Sequence, residues 1–270
     1  LADVVLPAAL WVEKEGVYGC TERRYQLIEK LIDPPGEAKP DLWILLELAK
    51  RLGYGDLFKF ESAEDVWNEW RVVGRGTAYD FYGMTYARLR LERGILWPCP
   101  DEKHPGTKRR YVKGEDPLVP KDAEGPVVFY GKPDRKAVVW LRPQEGPAEP
   151  PDKDYPFILT TGRVLEHWHT GTMTMNITKL RRTHPEAFVE IHPQDAASLD
   201  VNTGDTVKLT SRRGTLTVKV RVTDAPRPGV VFVPFFDKDV LVNLLTTDAV
   251  DPVSQQPEYK MCAVKVEKGG

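Results

Sequence analysis

Cysteine is scarce in this chain of 270 residues, with only Cys20, Cys99 and Cys262. The three stand far apart, form no CxxC pair and no metal-ligand spacing, and an odd count argues against a disulfide framework. Isolated thiols of this kind read as small apolar packing residues. Long apolar runs are missing as well, and no stretch approaches the roughly 18–20 residues that a membrane helix needs. Nor is there an excess of charge. The net charge is −2, so nothing pulls the molecule as a whole toward nucleic acid or an anionic membrane. The sequence does not open on Met. Leu1 begins an apolar run, LADVVL, with none of the charged lead-in of a secretory signal. The expectation is a fragment or processed chain, cut just before a buried strand at residues 4–6 that ends at Pro7.

What remains is a soluble globular composition, long enough for one large domain or two ordinary ones. Three parts are expected. Residues 1–55 read as α/β, with a helix that opens at Pro40-Asp41, takes Asp41 as its N-cap and closes at Gly53. Residues 56–154 are irregular and rich in Trp, Tyr, Pro and Gly, with helices expected over 63–71 and 80–93, the second ended by Gly94. Their last stretch, PQEGPAEPPDKD at 143–154, reads as a linker. Residues 155–270 change character. Strands are expected at 157–160, 187–191, 207–210, 215–222, 230–233 and 262–266, with a short helix at 193–199 and a turn at 202–205. The pair 207–210 and 215–222 alternates around Arg212-Arg213-Gly214 and reads as a hairpin with Arg212 at an exposed tip. Several short strands with one or two small helices suggest a closed barrel.

The densest chemistry lies in TGRVLEHWHTGTMT, residues 161–174, directly after the first of those strands. Thr161, Gly162 and Arg163 put a hydroxyl, an open backbone and a guanidinium at a strand end. There, backbone N–H groups can approach a phosphate and Arg can bind it in a bidentate way. Val164, Leu165 and Glu166 follow. His167, Trp168, His169 and Thr170 then supply planar and hydrogen-bonding groups suited to a fused heterocycle, and Gly171 lets the chain turn. Two other readings stay open. His167 and His169, at i and i+2, would share one face of a strand and suit a metal pair, or they serve packing alone.

TGRVLEHWHTGTMT resembles the pterin-binding segment of the dimethyl sulfoxide reductase superfamily of molybdenum and tungsten enzymes. Its Val-Leu-Glu-His-Trp-His version resembles that of the periplasmic nitrate reductases. The likeness extends to ADVVLPAALWVEKEGVYGCTERR (2–24), EAKPDLW (37–43), FYGKPDRKAVVW (129–140), HPQDAA (192–197), FVPFFDKDVLVNLL (232–245) and DPVSQQPEYKMCAVKV (251–266). It is loosest at 56–125. Cys20 departs from the usual Asn, and Met175-Asn176 from the usual basic or Gly-containing pair.

This resemblance implies the end of the central α/β molybdopterin oxidoreductase domain at 1–55 and a dinucleotide-binding double-psi β-barrel at 155–270. It implies bis(molybdopterin guanine dinucleotide) with molybdenum, and a [4Fe-4S] cluster and metal ligand upstream of these residues. It further implies nitrate as substrate, a c-type cytochrome as electron donor and a periplasmic location. Residues 161–170 would line pterin and phosphate. Lys14 and Asp41 would bind the other half of the cofactor, Asn243 and Lys260 would add hydrogen bonds, and Phe235 would border the substrate funnel. No catalytic residue and no metal ligand is assigned within the chain. Read without the resemblance, Lys14 is a surface ion-pair residue, Asp41 an N-cap and Phe235 core, while Asn243, in an apolar stretch, needs partners if buried. Formate dehydrogenase, assimilatory nitrate reductase and a non-catalytic barrel module are the alternative readings.

Overall fold

A computed structural model describes residues 2–269; Leu1, where the apolar run begins, and Gly270 lie outside the described residues. The chain forms two compact units, residues 1–140 and 141–270.

Among the described residues the first unit holds a small antiparallel sheet and three α-helices. Residues 4–6 form no strand, contrary to expectation, and Val5 is 79% exposed. A strand needs a neighbour to bond, and the pairing found at this end is an isolated bridge between Ala8 and Lys39. The sheet comes instead from β1 (Gly16–Gly19) and β2 (Arg24–Ile28), a hairpin the sequence pattern did not announce, extended by β3 (Ile95–Leu96). Helix α1 (Asp41–Arg51) is capped by Pro40, so Asp41 is its first residue and not its N-cap. Helix α2 (Ala63–Gly74) starts from a capping box between Ser62 and Asp65 and runs past the expected end at Arg71. Helix α3 (Tyr86–Glu92) starts later than expected. The Asp80 carboxylate accepts from the backbone N–H of Gly76 at 2.7 Å and Tyr82 at 3.0 Å, which shapes a turn there. Left-handed Arg93 and Gly94 end α3 as the sequence implied.

Trp67, Phe81, Met84, Leu89 and Ile95 form the core of this unit. Tyr25 meets Trp67 and Phe81 edge-on, with ring centroids 5.1 and 5.2 Å apart. In the irregular segment beyond β3, buried Asp116 accepts from Tyr111 N–H at 2.9 Å, Leu118 N–H at 3.1 Å, Arg110 Nε at 2.9 Å and Tyr130 Oη at 2.8 Å.

The second unit is a closed barrel of six strands in the order β4-β8-β5-β7-β6-β9. They are β4 (Phe157–Gly162), β5 (Phe188–Ile191), β6 (Thr206–Thr210), β7 (Thr215–Val222), β8 (Val230–Pro234) and β9 (Cys262–Lys268). β4 runs parallel to β8 and β5 to β7, while the other neighbours are antiparallel. The period-two pattern sends Leu159, Val189, Ile191, Val207, Leu209, Val231, Val233 and Val264 to the closed interior. Helix α4 (Thr178–Thr183) was not foreseen, whereas α5 (Pro193–Ser198) falls where expected. Among the described residues no helix is long and apolar enough to cross a membrane.

One surface expectation needs correction. Part of the segment read as a linker is docked on the barrel. The Glu149 carboxylate accepts from Arg213 at 2.6 and 2.9 Å and from Ala263 N–H at 2.9 Å. Arg212 is exposed at the hairpin tip as expected, where it pairs with Asp152, lies 3.4 Å from Glu149 and stacks over the Tyr155 ring.

Candidate cofactor-binding site

Strands β4 and β8 are parallel and end at the same rim, Thr161 opposite Val233 and Gly162 opposite Pro234. Residue 162 must be small here, because a Cβ would lie 2.6 Å from the Phe232 ring. From Gly162 the chain leaves the barrel in an irregular loop, turns at Trp168–Gly171 through left-handed His169 and Gly171, and enters a 3-10 turn at Thr174–Asn176. Glycine is required at 171 on two counts: its φ is +74°, and a Cβ would lie 2.6 Å from the Phe236 carbonyl oxygen.

The loop presents one face to solvent and ties down the other. Arg163 lies over the exposed Trp168 ring at 5.6 Å, and its Nη2 sits 3.0 Å from His169 Nε2. Trp168 and His169 meet edge-on at 4.7 Å. Leu165 projects, 97% exposed, and the Thr170 hydroxyl is 2.9 Å from that of Thr172. Among the described residues, no protein acceptor serves the backbone N–H of Arg163, Val164, Leu165, Glu166, His167, His169 or Thr170. A run of unpartnered donors beside a guanidinium is a natural seat for an anion. The loop borders two clefts. One of about 490 Å³ reaches Phe188, Arg221 and Phe232, and one of about 710 Å³ reaches Met175, Phe236 and Asp237.

His167 and His169 do not form a pair on one strand face. The segment is a loop, left-handed at His169, so the i and i+2 side chains part. His167 is only 2% exposed, lies against Phe236 with centroids 4.4 Å apart, and has a partner at each ring nitrogen. His169 is exposed beside Arg163.

The structure joins Lys260 to the loop. Its ammonium donates to the Thr161 carbonyl, while the buried Thr161 hydroxyl donates to the Tyr259 carbonyl at 3.2 Å. Phe235 N–H donates to the Gly162 carbonyl at 3.2 Å, and its half-buried ring packs on the barrel core. Asn243 sits in the 3-10 turn Val242–Leu244 and is exposed, so its amide does not need the buried partner that its apolar surroundings implied. Lys14 and Asp41 lie in the first unit and pair with each other. The hydrogen bond from Lys14 holds the Asp41 carboxyl below the usual carboxylate range. Sequence reasoning gave no site role to Thr174, His184, Phe232 or Phe236, all of which shape the loop.

Residues 157–263 match the family described as "Molydopterin dinucleotide binding domain" and residues 1–51 match the family described as "Molybdopterin oxidoreductase". It is 54% identical over 99% of its length to a protein named periplasmic nitrate reductase from Desulfovibrio desulfuricans. It is 53% identical over 99% of its length to a nitrate reductase of Symbiobacterium thermophilum. Identity to the F420-dependent formate dehydrogenase subunit alpha of Methanocaldococcus jannaschii is 47%, again over 99% of the chain. The chain spans only 36%, 36% and 37% of these three relatives. In fold it resembles the acetylene hydratase of Pelobacter acetylenicus. The TM-score is 0.69 at 17% identity, covering 98% of this chain and 38% of that one.

Proposed function

We propose that this chain is the C-terminal, cofactor-holding part of a periplasmic nitrate reductase that binds bis(molybdopterin guanine dinucleotide). The observation that carries the reading is the set of N–H groups at residues 163–167, 169 and 170, unpartnered among the described residues, beside the exposed Arg163–Trp168–His169 group. These donors suit a diphosphate and the planar groups suit a fused heterocycle, so the residues present fit the cofactor. Arg163 and the loop N–H groups would hold phosphate. Trp168 and His169 would lie along the ring system, and Asn243 has a free amide to offer. Lys260 would act partly through the Thr161 carbonyl it already binds. Lys14 and Asp41 would exchange their mutual pair for the second half of the cofactor, and Phe235 would border the path of nitrate. The bound molybdenum would supply the oxygen-atom transfer that turns nitrate into nitrite; this chain's residues orient and retain the cofactor. No cysteine of the chain stands at this loop, so the metal ligand, the [4Fe-4S] cluster and the docking site of a c-type cytochrome are assigned to the remainder of the polypeptide or to other subunits.

The test is made on the complete enzyme. Arg163→Ala should lower molybdenum and guanine nucleotide content about ten- to a hundredfold, since a charge-assisted bond contributes roughly 1.5–3 kcal/mol. Arg163→Lys should recover only part, because an ammonium cannot make the bidentate contact. Full occupancy in Arg163→Ala would remove the proposed role. The likeness to a protein named formate dehydrogenase gives the second reading, oxidation of formate. Assays of dye-linked nitrate reduction and formate oxidation on one preparation separate the two.

A further inference from the structure

Thr174 lies outside the stretch 161–170 to which the cofactor role is assigned, yet two consecutive residues of that stretch end on its hydroxyl. Trp168 N–H donates to Thr174 Oγ1 at 3.1 Å, and the same oxygen is 3.1 Å from His167 Nδ1. On the far side of the imidazole, His167 Nε2 lies 2.8 Å from the His184 carbonyl oxygen. A carbonyl can only accept, so Nε2 carries a ring proton, and in the neutral imidazole Nδ1 is left as an acceptor. The Thr174 hydroxyl, already accepting from Trp168, has one proton to give, and Nδ1 is there to take it. The result is a closed relay from Trp168 N–H through Thr174 Oγ–H and the imidazole to the carbonyl that follows α4.

The relay is seated and not free to slide. His167 is sandwiched against Phe236 and almost wholly buried. Thr174 opens the short 3-10 turn fixed by Ile177 N–H on the Thr174 carbonyl at 3.0 Å. A second tie runs beside it, with the Glu166 carboxylate 3.1 Å from His184 Nδ1. That nitrogen has no well-aligned hydrogen bond, so this tie is a polar contact and the weaker of the two. His167 is locked inward, while Trp168 and His169, which follow it, are exposed. Trp168 and His169 can therefore meet Arg163 at the surface.

We propose that Thr174 is the positioning residue of this loop: by fixing His167 as the inward anchor it sets the outward display of Arg163, Trp168 and His169. The step from display to cofactor retention rests on the function proposed above. The test uses the complete protein with Thr174→Val, which keeps the branched shape and removes the hydroxyl, and Thr174→Ser, which restores it. Hydrogen exchange is followed in peptides covering 163–172 and, as a control, 215–222 in β7. Molybdenum and guanine nucleotide content are measured on the same preparations, with Arg163→Ala alongside.

In Thr174→Val the loop peptide should exchange about tenfold faster while β7 does not change, and cofactor content should fall several-fold; Thr174→Ser should stay close to the parent. Unchanged exchange in the loop overturns the proposal, whatever Arg163→Ala does. Equal acceleration in β7, or failure of Thr174→Ser to rescue, also overturns it, since either would reveal general loosening. Faster loop exchange with full cofactor in both Thr174→Val and Arg163→Ala would uphold Thr174 as the anchor and refute the cofactor reading of the loop.

Discussion

The ring of Phe232 occupies the space that a side chain at Gly162 would fill: a Cβ there would lie 2.6 Å from Cε2 and 3.2 Å from Cζ. The two residues sit on parallel neighbours, β4 and β8, at the rim from which the loop of residues 163–173 departs. Gly162→Ala should destabilise the barrel by about 1–3 kcal/mol through overpacking. Replacing Phe232 by Ala in the same chain should recover part of that loss. Denaturant midpoints of the single and double variants check this, and simple additivity of the two losses would rule out the proposed clash.

Glu149 and Arg213 make the barrel sensitive to acid. The hydrogen bond from Arg213 is the main reason that the Glu149 carboxyl lies below its ordinary value of 4.5, against the opposing effect of burial. A carboxyl lowered in the folded state contributes stability that is present above its ordinary value and is lost as pH falls through the lowered one. Stability should therefore hold from neutral pH to about 4.5 and then decline. Arg213→Ala should cost about 1–3 kcal/mol at pH 7 by leaving a mostly buried carboxylate short of partners, and should flatten the acid limb. Arg212→Ala should cost under about 1 kcal/mol, because its ion pairs are more exposed. Unfolding curves at pH 7, 5 and 3.5 decide it.

Asp116 is wholly buried as a side chain, yet charged. Burial alone would raise its carboxyl. The backbone N–H groups of Tyr111 and Leu118, then Arg110 and Tyr130, outweigh burial and hold it below the usual range. Asp116→Ala should cost about 3–5 kcal/mol, since it strands the Arg110 charge. The partner Tyr130, pushed up to about 12 mainly by burial, should resist ionisation until the fold is lost. A phenolate absorbance titration of the Tyr130→Phe variant against the parent reads this out.

The three thiols should divide by access. Cys20 is exposed, while Cys99 and Cys262 are buried. Burial is the largest influence on both buried thiols and pushes them up, which disfavours the reactive thiolate. A thiol reagent at pH 8 should label Cys20 rapidly and the other two only when the protein unfolds. Fast labelling of Cys262 in the native state would contradict its place inside the barrel.

The barrel was legible because its strands alternate strictly. In β7, Val218 and Val220 face in while Thr217, Lys219 and Arg221 face out, and no helical period fits those residues. The β1–β2 hairpin was not legible: neither GVYG nor RYQLI buries a full side chain, so no face stands out in the sequence. The start of α1 was misread by one residue because Asp41 has a rival use, the ion pair with Lys14, that spacing cannot reveal. At the candidate site the chemical character of residues 161–170 could be read, but not its division into inward and outward groups. Parity assigns faces only within a strand, and here left-handed His169 breaks the parity. Thr174 and His184 were invisible for a related reason. Their roles depend on where the loop returns, not on which residues flank them.

Closure of the barrel has a consequence for how the protein is made. β4 finds its parallel neighbour only in β8, and the ring is sealed only by β9, which bonds β4 on one side and β6 on the other. Phe157 must wait for Val264, and Leu209 for Val266. Non-local pairings of this kind form slowly, because chain entropy is lost before any contact compensates. During synthesis, the β6–β7 hairpin can form as soon as it leaves the ribosome, but β4 waits for β8 on one edge and keeps the other unmatched until β9 has emerged. Over that interval residues 163–170 lack their finished rim, so any ligand that needs the folded loop must wait until translation has passed β9.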